Sequence, residues 1–154
     1  MDGNQSVYTY NSHMKEMIYQ WKYRGDYEVG FSFMQDINDA FRKLGTEKKT
    51  IVVPIPLSEE RLAERGFNQA LQLASFIPKK SALLLRRVHG EKQSKKTRRE
   101  RITAENPFII EEKVEKPVIL VDDIYTTGAT LHKAAAVLKR AGCPRVESLT
   151  LVRG

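Results

Sequence analysis

A single cysteine, Cys143, stands in a chain of 154 residues, so no internal disulfide and no cysteine zinc cage can be built within it. No apolar run approaches the roughly 20 residues needed to cross a bilayer. The opening MDGNQSVYTY has neither the basic start nor the apolar stretch of a signal peptide. These absences point to a cytoplasmic protein. Internal repeats and dividing linkers are missing as well, so residues 1–154 read as one domain, long enough to bury its own core. Hydrophobic residues at 41% and charged residues at 29% are ordinary for a globular chain, but a net charge of +7 is not. That balance suits phosphate-rich ligands or nucleic acid, and it also arises on plain solvated faces.

What the chain does have is a strand, turn and helix pattern over residues 117–130, PVILVDDIYTTGAT. Residues 118–121 are apolar, right for a buried strand and too short for a helix. Two adjacent acids follow, Asp122 and Asp123. Then comes a turn of small residues, Thr126, Thr127, Gly128 and Thr130, ahead of an Ala/Leu-rich helix over residues 131–141. Successive N–H groups of such a turn face one concavity. The helix N-terminus and the threonine hydroxyls add to it, which suits a phosphate group. Gly128 lets the backbone come close or take φ > 0. The carboxylates just upstream suit sugar hydroxyls or a hydrated Mg²⁺. The plainer reading is a strand stopped by an Asp-Asp turn, with Thr130 capping the helix.

The run V-I-L-V-D-D-I-Y-T-T-G-A-T resembles the phosphoribosyl pyrophosphate (PRPP) motif of type I phosphoribosyltransferases. Around it, Arg65-Gly66-Phe67-Asn68-Gln69-Ala70, Gln93-Ser94, Arg101, Asn106-Pro107-Phe108 and Lys22-Tyr23-Arg24-Gly25-Asp26 are similar to the ComF (competence protein F) branch. The likeness covers nearly the whole chain. Members of that branch usually carry an N-terminal four-cysteine zinc-binding segment ahead of the matched region; the sequence in hand does not include it, whether naturally short or trimmed.

Along the chain, Tyr10, Met14, Met17, Ile18 and Trp21 recur at helical spacing, and Phe33, Ile37, Ala40, Phe41 and Leu44 share the face of a second helix over residues 29–44. Lys22, Arg24 and Asp26 lie at the break between them, either reaching a ligand or, more simply, forming a solvated helix end. Residues 51–55 read as a parallel-type strand and residues 57–67 as a polar loop. Asn68 is placed to cap the next helix. Residues 82–85 read as a further strand, 108–110 as a short edge strand, and 146–152 as the last strand. Strands alternating with helices predict a three-layer, mostly parallel α/β domain, with sites at the carboxyl ends of the strands. Residues 1–45 form its N-terminal helical part and 46–154 the α/β core, interrupted by a basic stretch near 87–107.

The resemblance implies specific roles. The 5′-phosphate of PRPP would sit on Thr126, Thr127, Gly128, Ala129 and Thr130, and the ribose hydroxyls would meet Asp122 and Asp123. Mg²⁺ would arrive with PRPP near those acids without direct protein ligands. Arg61, Arg65 and Gly66 fall where the family binds pyrophosphate, and Arg65 joins Asp122 and Asp123 as the expected catalytic set; a surface arginine and a turn glycine are the plain alternative. The basic tract with Lys95, Lys96, Arg98, Arg99 and Arg101 falls where type I enzymes place a mobile lid; a single-stranded nucleic-acid arm and a solvated loop remain open beside it. The implied reaction is phosphoribosyl transfer to an unidentified acceptor with release of pyrophosphate. The implied setting is DNA uptake in natural transformation, with single-stranded DNA and competence-machinery proteins as partners; a PRPP-responsive accessory protein without catalysis is the alternative. Purine salvage enzymes often place an acid where this chain has Thr126, which argues against that subclass. Tyr125, Trp21 or the N-terminal helices are candidates for an aromatic hood. His13, His89, His132 and Cys143 read as surface or packing residues.

Overall fold

The computed structural model describes residues 1–88 and 106–154. Its centre is a parallel sheet of four strands in the order β1, β6, β5, β2, where β1 is Gly3–Thr9, β2 Ile51–Pro54, β5 Val118–Tyr125 and β6 Val146–Arg153. A separate antiparallel pair joins β3 (Arg86–Arg87) to β4 (Phe108–Ile109). The helices are α1 (Ser12–Tyr23), α2 (Tyr27–Gly30), α3 (Met34–Lys43), α4 (Glu59–Arg65), α5 (Gln69–Ser75) and α6 (Ala129–Arg140).

Both faces of the sheet are covered, because successive side chains of β5 alternate. Ile119 and Val121 pack with Trp21, Phe33, Ile37, Phe41 and Leu73 from α1, the turn before α3, α3 and α5. Val118 and Leu120 pack with Leu131, Ala134, Ala135 and Leu138 of α6. Two layers of helix around one sheet give the expected three-layer α/β architecture. The near-continuous apolar run of β5 follows from burial on both sides. Each fully buried leucine or phenylalanine contributes about 1.5–3 kcal/mol of transfer free energy, so this double cover is the main force holding β5 in place.

Several local features differ from the sequence reading. Residues 1–45 are not wholly helical, since β1 lies at the sheet edge in register with β6, Ser6 opposite Thr150. Its sequence, GNQSVYT, carries too few apolar residues to announce a strand; hydrogen bonds hold it instead, among them Ser6 Oγ to Thr150 Oγ1 at 2.6 Å and Ser148 Oγ to Asn4 Oδ1 at 2.7 Å. The helix expected over 29–44 is broken into α2, a 3₁₀ turn at Phe31–Phe33, and α3. Tyr10 precedes α1 and is exposed rather than part of its stripe. Residues 82–85 form no strand: Ser81 makes one bridge to Val52, Ala82 donates to the Val52 carbonyl at 2.9 Å, and the chain then leaves the sheet with Leu83 73% exposed. Three consecutive leucines cannot all face one core from an extended chain, so Leu85 is buried and Leu83 is not.

Candidate functional site

The strand β5 does not stop before its acids but carries them, with Asp122 paired in register to Thr150. Alternation puts Asp122 in the row of Val118 and Leu120, and Asp123 in the row of Ile119 and Val121, facing α1. Each carboxylate also folds back on the next residue. Asp123 N–H donates to Asp122 Oδ1 and Ile124 N–H to Asp123 Oδ1, both at 2.8 Å. Asp123 is only 8% exposed, yet it is not an orphan charge: Lys22 Nζ lies 2.8 Å from its Oδ2.

Lys22 is therefore not a solvated helix end. It is the last buried residue of α1 after Met14, Ile18 and Trp21. A lysine in step with an apolar stripe is the sequence signal that could have located this partner. Burial, reinforced by the neighbouring Asp123 carboxylate, pushes the Asp122 carboxyl well above the usual range. Burial acts on Asp123 as well, but the Lys22 ammonium and hydrogen bonds from Asp122 and Ile124 outweigh it and hold Asp123 low. Of the pair, Asp122 is the carboxyl that releases its proton less readily, and Asp123, beside the lysine, the one that ionises first.

The loop after β2 is built by capping. Ser58 accepts from Arg61 N–H to start α4, and Gly66, at φ 83°, ends it in the left-handed region, where glycine carries no Cβ penalty. Asn68 accepts from Ala70 and Leu71 N–H to start α5 as expected, while its Nδ2 donates to the Ile55 carbonyl at 3.1 Å. The loop is thus pinned against the carboxyl end of β2. Arg65, the last residue of α4, lies over the Tyr23 ring at 6.0 Å and reaches Gln69 Oε1 at 3.4 Å. Gln69 is 1% exposed, and its Nε2 donates to the Trp21 carbonyl. Two stretches distant in sequence, around Lys22–Tyr23 and Arg65–Gln69, so form one wall.

Arg87 of β3, a residue the sequence reading passed over, completes the cluster. Burial lowers its proton affinity, Arg61 lowers it further, Asp122 raises it and Arg65 lowers it. Arg61, Arg65 and Asp122 thus lie within electrostatic reach of Arg87, a positive region that suits an anion. Nothing in the local sequence marked it, because Arg87 is brought in by the pairing of β3 with Phe108–Ile109.

Between β5 and α6 lies the hydroxyl-rich turn. Gly128, not Thr130, occupies the N-cap position of α6, at φ 78° and with no side-chain cap. A Cβ there would meet Tyr125 Oη at 2.6 Å, so both conformation and space demand glycine. Thr127 Oγ1 accepts from Ala129 N–H at 3.2 Å. The N–H groups of Thr126, Thr127 and Gly128 find no acceptor among the described residues. Thr126, Thr127 and Ala129 are exposed, and Thr130 is half-buried. Tyr125 is held under Arg153, 5.0 Å from ring to guanidinium. Trp21 is fully buried and donates to Gln72 Oε1 at 2.7 Å, so it forms part of the core and not of a hood. Lys95, Lys96, Arg98, Arg99 and Arg101, with Gln93, Ser94 and the expected lid, lie outside the described residues. Asn106, just beyond them, is anchored to the Lys133 carbonyl at 2.7 Å and accepts from Phe108 N–H.

Chemically, the arrangement offers cationic donors, an acid pair whose members titrate apart and, among the described residues, a set of free amide donors at one end of the sheet. Among the described residues no three His, Cys, Asp or Glu side chains cluster as a metal cage, and no helix is long and apolar enough to cross a membrane. Residues 32–154 match the phosphoribosyl transferase domain family. The chain is similar to competence protein ComFC of Bacillus subtilis, 46% identical over 97% of this chain and 64% of that protein. Competence protein ComFC of Streptococcus pneumoniae is 36% identical over 98% and 68%. The DNA utilization protein YhgH of Escherichia coli K12 is 27% identical over 96% and 70%. The chain therefore spans about two thirds of the length of these curated relatives.

Proposed function

The chain belongs to the ComF branch of the phosphoribosyl transferase family, and from that premise we propose that it binds PRPP with Mg²⁺ at the carboxyl end of β5 and transfers the phosphoribosyl group to an acceptor. The observation that carries this reading is the turn between β5 and α6, where Gly128 at φ 78° leaves amide donors without an acceptor among the described residues just beyond the acid pair. Arg61 and Arg65, within electrostatic reach of Arg87, suit an anion of several charges, and pyrophosphate is such an anion. The 5′-phosphate takes the unsatisfied amides of Thr126, Thr127 and Gly128 with the start of α6. The ribose hydroxyls lie between the two ends, donating to the Asp123 carboxylate and accepting from protonated Asp122.

Magnesium fits as a companion of the ligand. Asp123 is committed to Lys22 and burial biases Asp122 towards its neutral form, so these acids would hold a cation only through the ligand, and the ion would supply charge neutralisation to the leaving group. The chain's own residues do the rest. Arg61, Arg65 and Arg87 stabilise the pyrophosphate oxygens as the bond to C1 of the ribose breaks, while Asp123 steadies the cationic character that develops on the sugar ring. Electrostatic positioning suffices, and no covalent nucleophile is required. With Thr126 where purine salvage enzymes carry an acid, the acceptor has to lose its proton to another group or to solvent.

Calorimetric titration of PRPP with and without Mg²⁺ tests the binding, and pyrophosphate release on screening nucleobases tests the transfer. A release rate unchanged in Asp123→Asn would count against catalysis. The second reading keeps the same PRPP site as a sensor in a protein that handles DNA. It is favoured by Thr126 in the acid position and by the DNA-related names of the relatives, and it predicts tight PRPP binding with no turnover.

A further inference from the structure

Lys22 turns its charge inward, whereas Lys15 and Glu16 of the same helix are exposed. Its side chain is 10% exposed and its Nζ lies 2.8 Å from Asp123 Oδ2, with Asp122 inside the same field. The base of this side chain is fixed. Trp21, its neighbour, is fully buried, donates from Nε1 to Gln72 Oε1 at 2.7 Å and accepts at its carbonyl from Gln69 Nε2 at 3.4 Å. The methylene stem therefore runs along the core and delivers the ammonium to one place. The Tyr23 ring, 5.8 Å from Nζ, is a second favourable contact for the charge. One or two carboxylates are what a hydrated divalent cation ordinarily takes from a protein, so a bare acid pair at this strand end would attract metal with or without a ligand. Here an ammonium already stands at the oxygen such an ion needs. To reach Asp123 a free cation has to displace it, and that leaves a buried positive charge unpaired beside an incoming double charge.

We propose that Lys22 sets the metal selectivity of the acid pair: its ammonium is a resident counter-ion that keeps free divalent cations off Asp122 and Asp123, so that metal enters only with the phosphates of its ligand. The exclusion of free metal stands without the PRPP reading above; entry with the ligand rests on it. The two cases differ in charge. A free divalent cation meets Lys22 with its full charge and needs the Asp123 oxygens that Lys22 holds. A cation carried by pyrophosphate comes with oxygens of its own and with its charge already offset, so the Lys22 pair stays intact. Lysine suits this task because its charge is compact and sits on a long apolar stem.

Binding of Mn²⁺ to the ligand-free chain, read from the electron paramagnetic resonance signal of the free ion, measures the exclusion directly. Lys22→Gln removes the charge and keeps a hydrogen-bond donor, and it should bind Mn²⁺ at least about tenfold more tightly than the parent. Lys22→Gln with Asp123→Asn should lose that gain. Lys22→Arg, which keeps the charge, should exclude the ion as the parent does. Adding about 5 mM MgCl₂ should raise the denaturant midpoint of Lys22→Gln and leave that of the parent unmoved, a response that lost packing alone does not produce. Equal Mn²⁺ affinity of parent and Lys22→Gln would overturn the proposal. So would Mn²⁺ uptake by the parent that Asp123→Asn abolishes, a result that needs no Lys22 variant to fold. Calorimetry in which PRPP binds the parent equally well with and without Mg²⁺ would overturn the entry of metal with its ligand. A parent that excludes Mn²⁺ and binds no PRPP would instead refute the proposed function and leave the exclusion standing.

Discussion

The two ends of the sheet treat charge in opposite ways. At the amino end charged and polar groups find partners. Lys79 donates to the carbonyls of Glu47 and Lys48 at 2.9 Å each and to that of Thr50 at 3.4 Å. Lys139 meets Asp2 at 2.9 Å, Arg145 meets Glu147, and the Cys143 thiol, its pKa raised by burial, donates to the Lys116 carbonyl. At the carboxyl end Arg87 lies in the field of Arg61 and Arg65, burial disfavours the ionised form of Asp122, and the turn before α6 has donors without acceptors among the described residues. The same backbone thus has one end satisfied for stability and one end left wanting a ligand. In a marginally stable domain such discord is tolerated where binding resolves it.

The strongest test of that contrast is the one carboxyl-end charge that is satisfied. Lys22→Met strands the Asp123 carboxylate in a site where both side chains are about a tenth exposed, and breaking such a buried pair costs about 3–5 kcal/mol. Denaturant midpoints should fall accordingly, and Lys22→Met with Asp123→Asn should recover most of the loss. The pH dependence has a definite sign. Asp123 is held below its ordinary pKa, so its contribution is present at neutral pH and lost as pH falls below about 4 through its folded value. A Lys22→Met deficit that persisted unchanged at pH 3 would mean the pair is not the cause.

Gly128→Ala should cost about 2 kcal/mol, from a left-handed φ of 78° and a Cβ pressed against Tyr125 Oη, and should abolish PRPP binding with it. Gly66→Ala, at φ 83° in open space, carries the conformational strain alone, about 1 kcal/mol. Calorimetry on a Gly128→Ala protein that still bound PRPP normally would show that the turn is not the phosphate site. At the amino end, Lys79→Met should cost about 1 kcal/mol by leaving partly hydrated carbonyls without their donor, and should leave the PRPP affinity untouched.

The β5 motif was readable because hydrophobicity, acids, glycine and helix formers succeed one another within fourteen residues, and each is a local signal. Asn68 as a cap and the Ala/Leu-rich helix expected over residues 131–141, found as α6, were equally local. The misses are all tertiary. β1 carries no apolar alternation because it is an edge strand held by Asn4, Ser6, Ser148 and Thr150. Arg87 joins the site only through the β3 and β4 pairing, and Lys22 reaches Asp123 across 101 positions of chain. The expectation that two acids must end a strand failed for a related reason: a lysine from another element and a retained proton made burial tolerable. Trp21, a candidate hood from its type, was claimed by the core through Gln72.

Asp122→Asn makes the smallest change and separates stability from binding most finely. Burial and the Asp123 charge raise the Asp122 carboxyl well above its ordinary range, so the folded chain holds that proton more tightly than the unfolded chain does. Stability therefore declines as pH rises from about 4, the unfolded value, through the folded value, and is lowest once Asp122 is forced to ionise. Asparagine imitates the protonated acid and cannot ionise. The variant should match the parent near pH 4 and exceed it increasingly as pH rises through the folded value of Asp122. It should bind PRPP about as tightly as the parent, because the amide N–H donates to a ribose hydroxyl as the protonated carboxyl does. Equal stability of variant and parent from pH 4 to pH 9 would place the pair's proton elsewhere than on Asp122 and remove the electrical asymmetry between the two ends of the sheet.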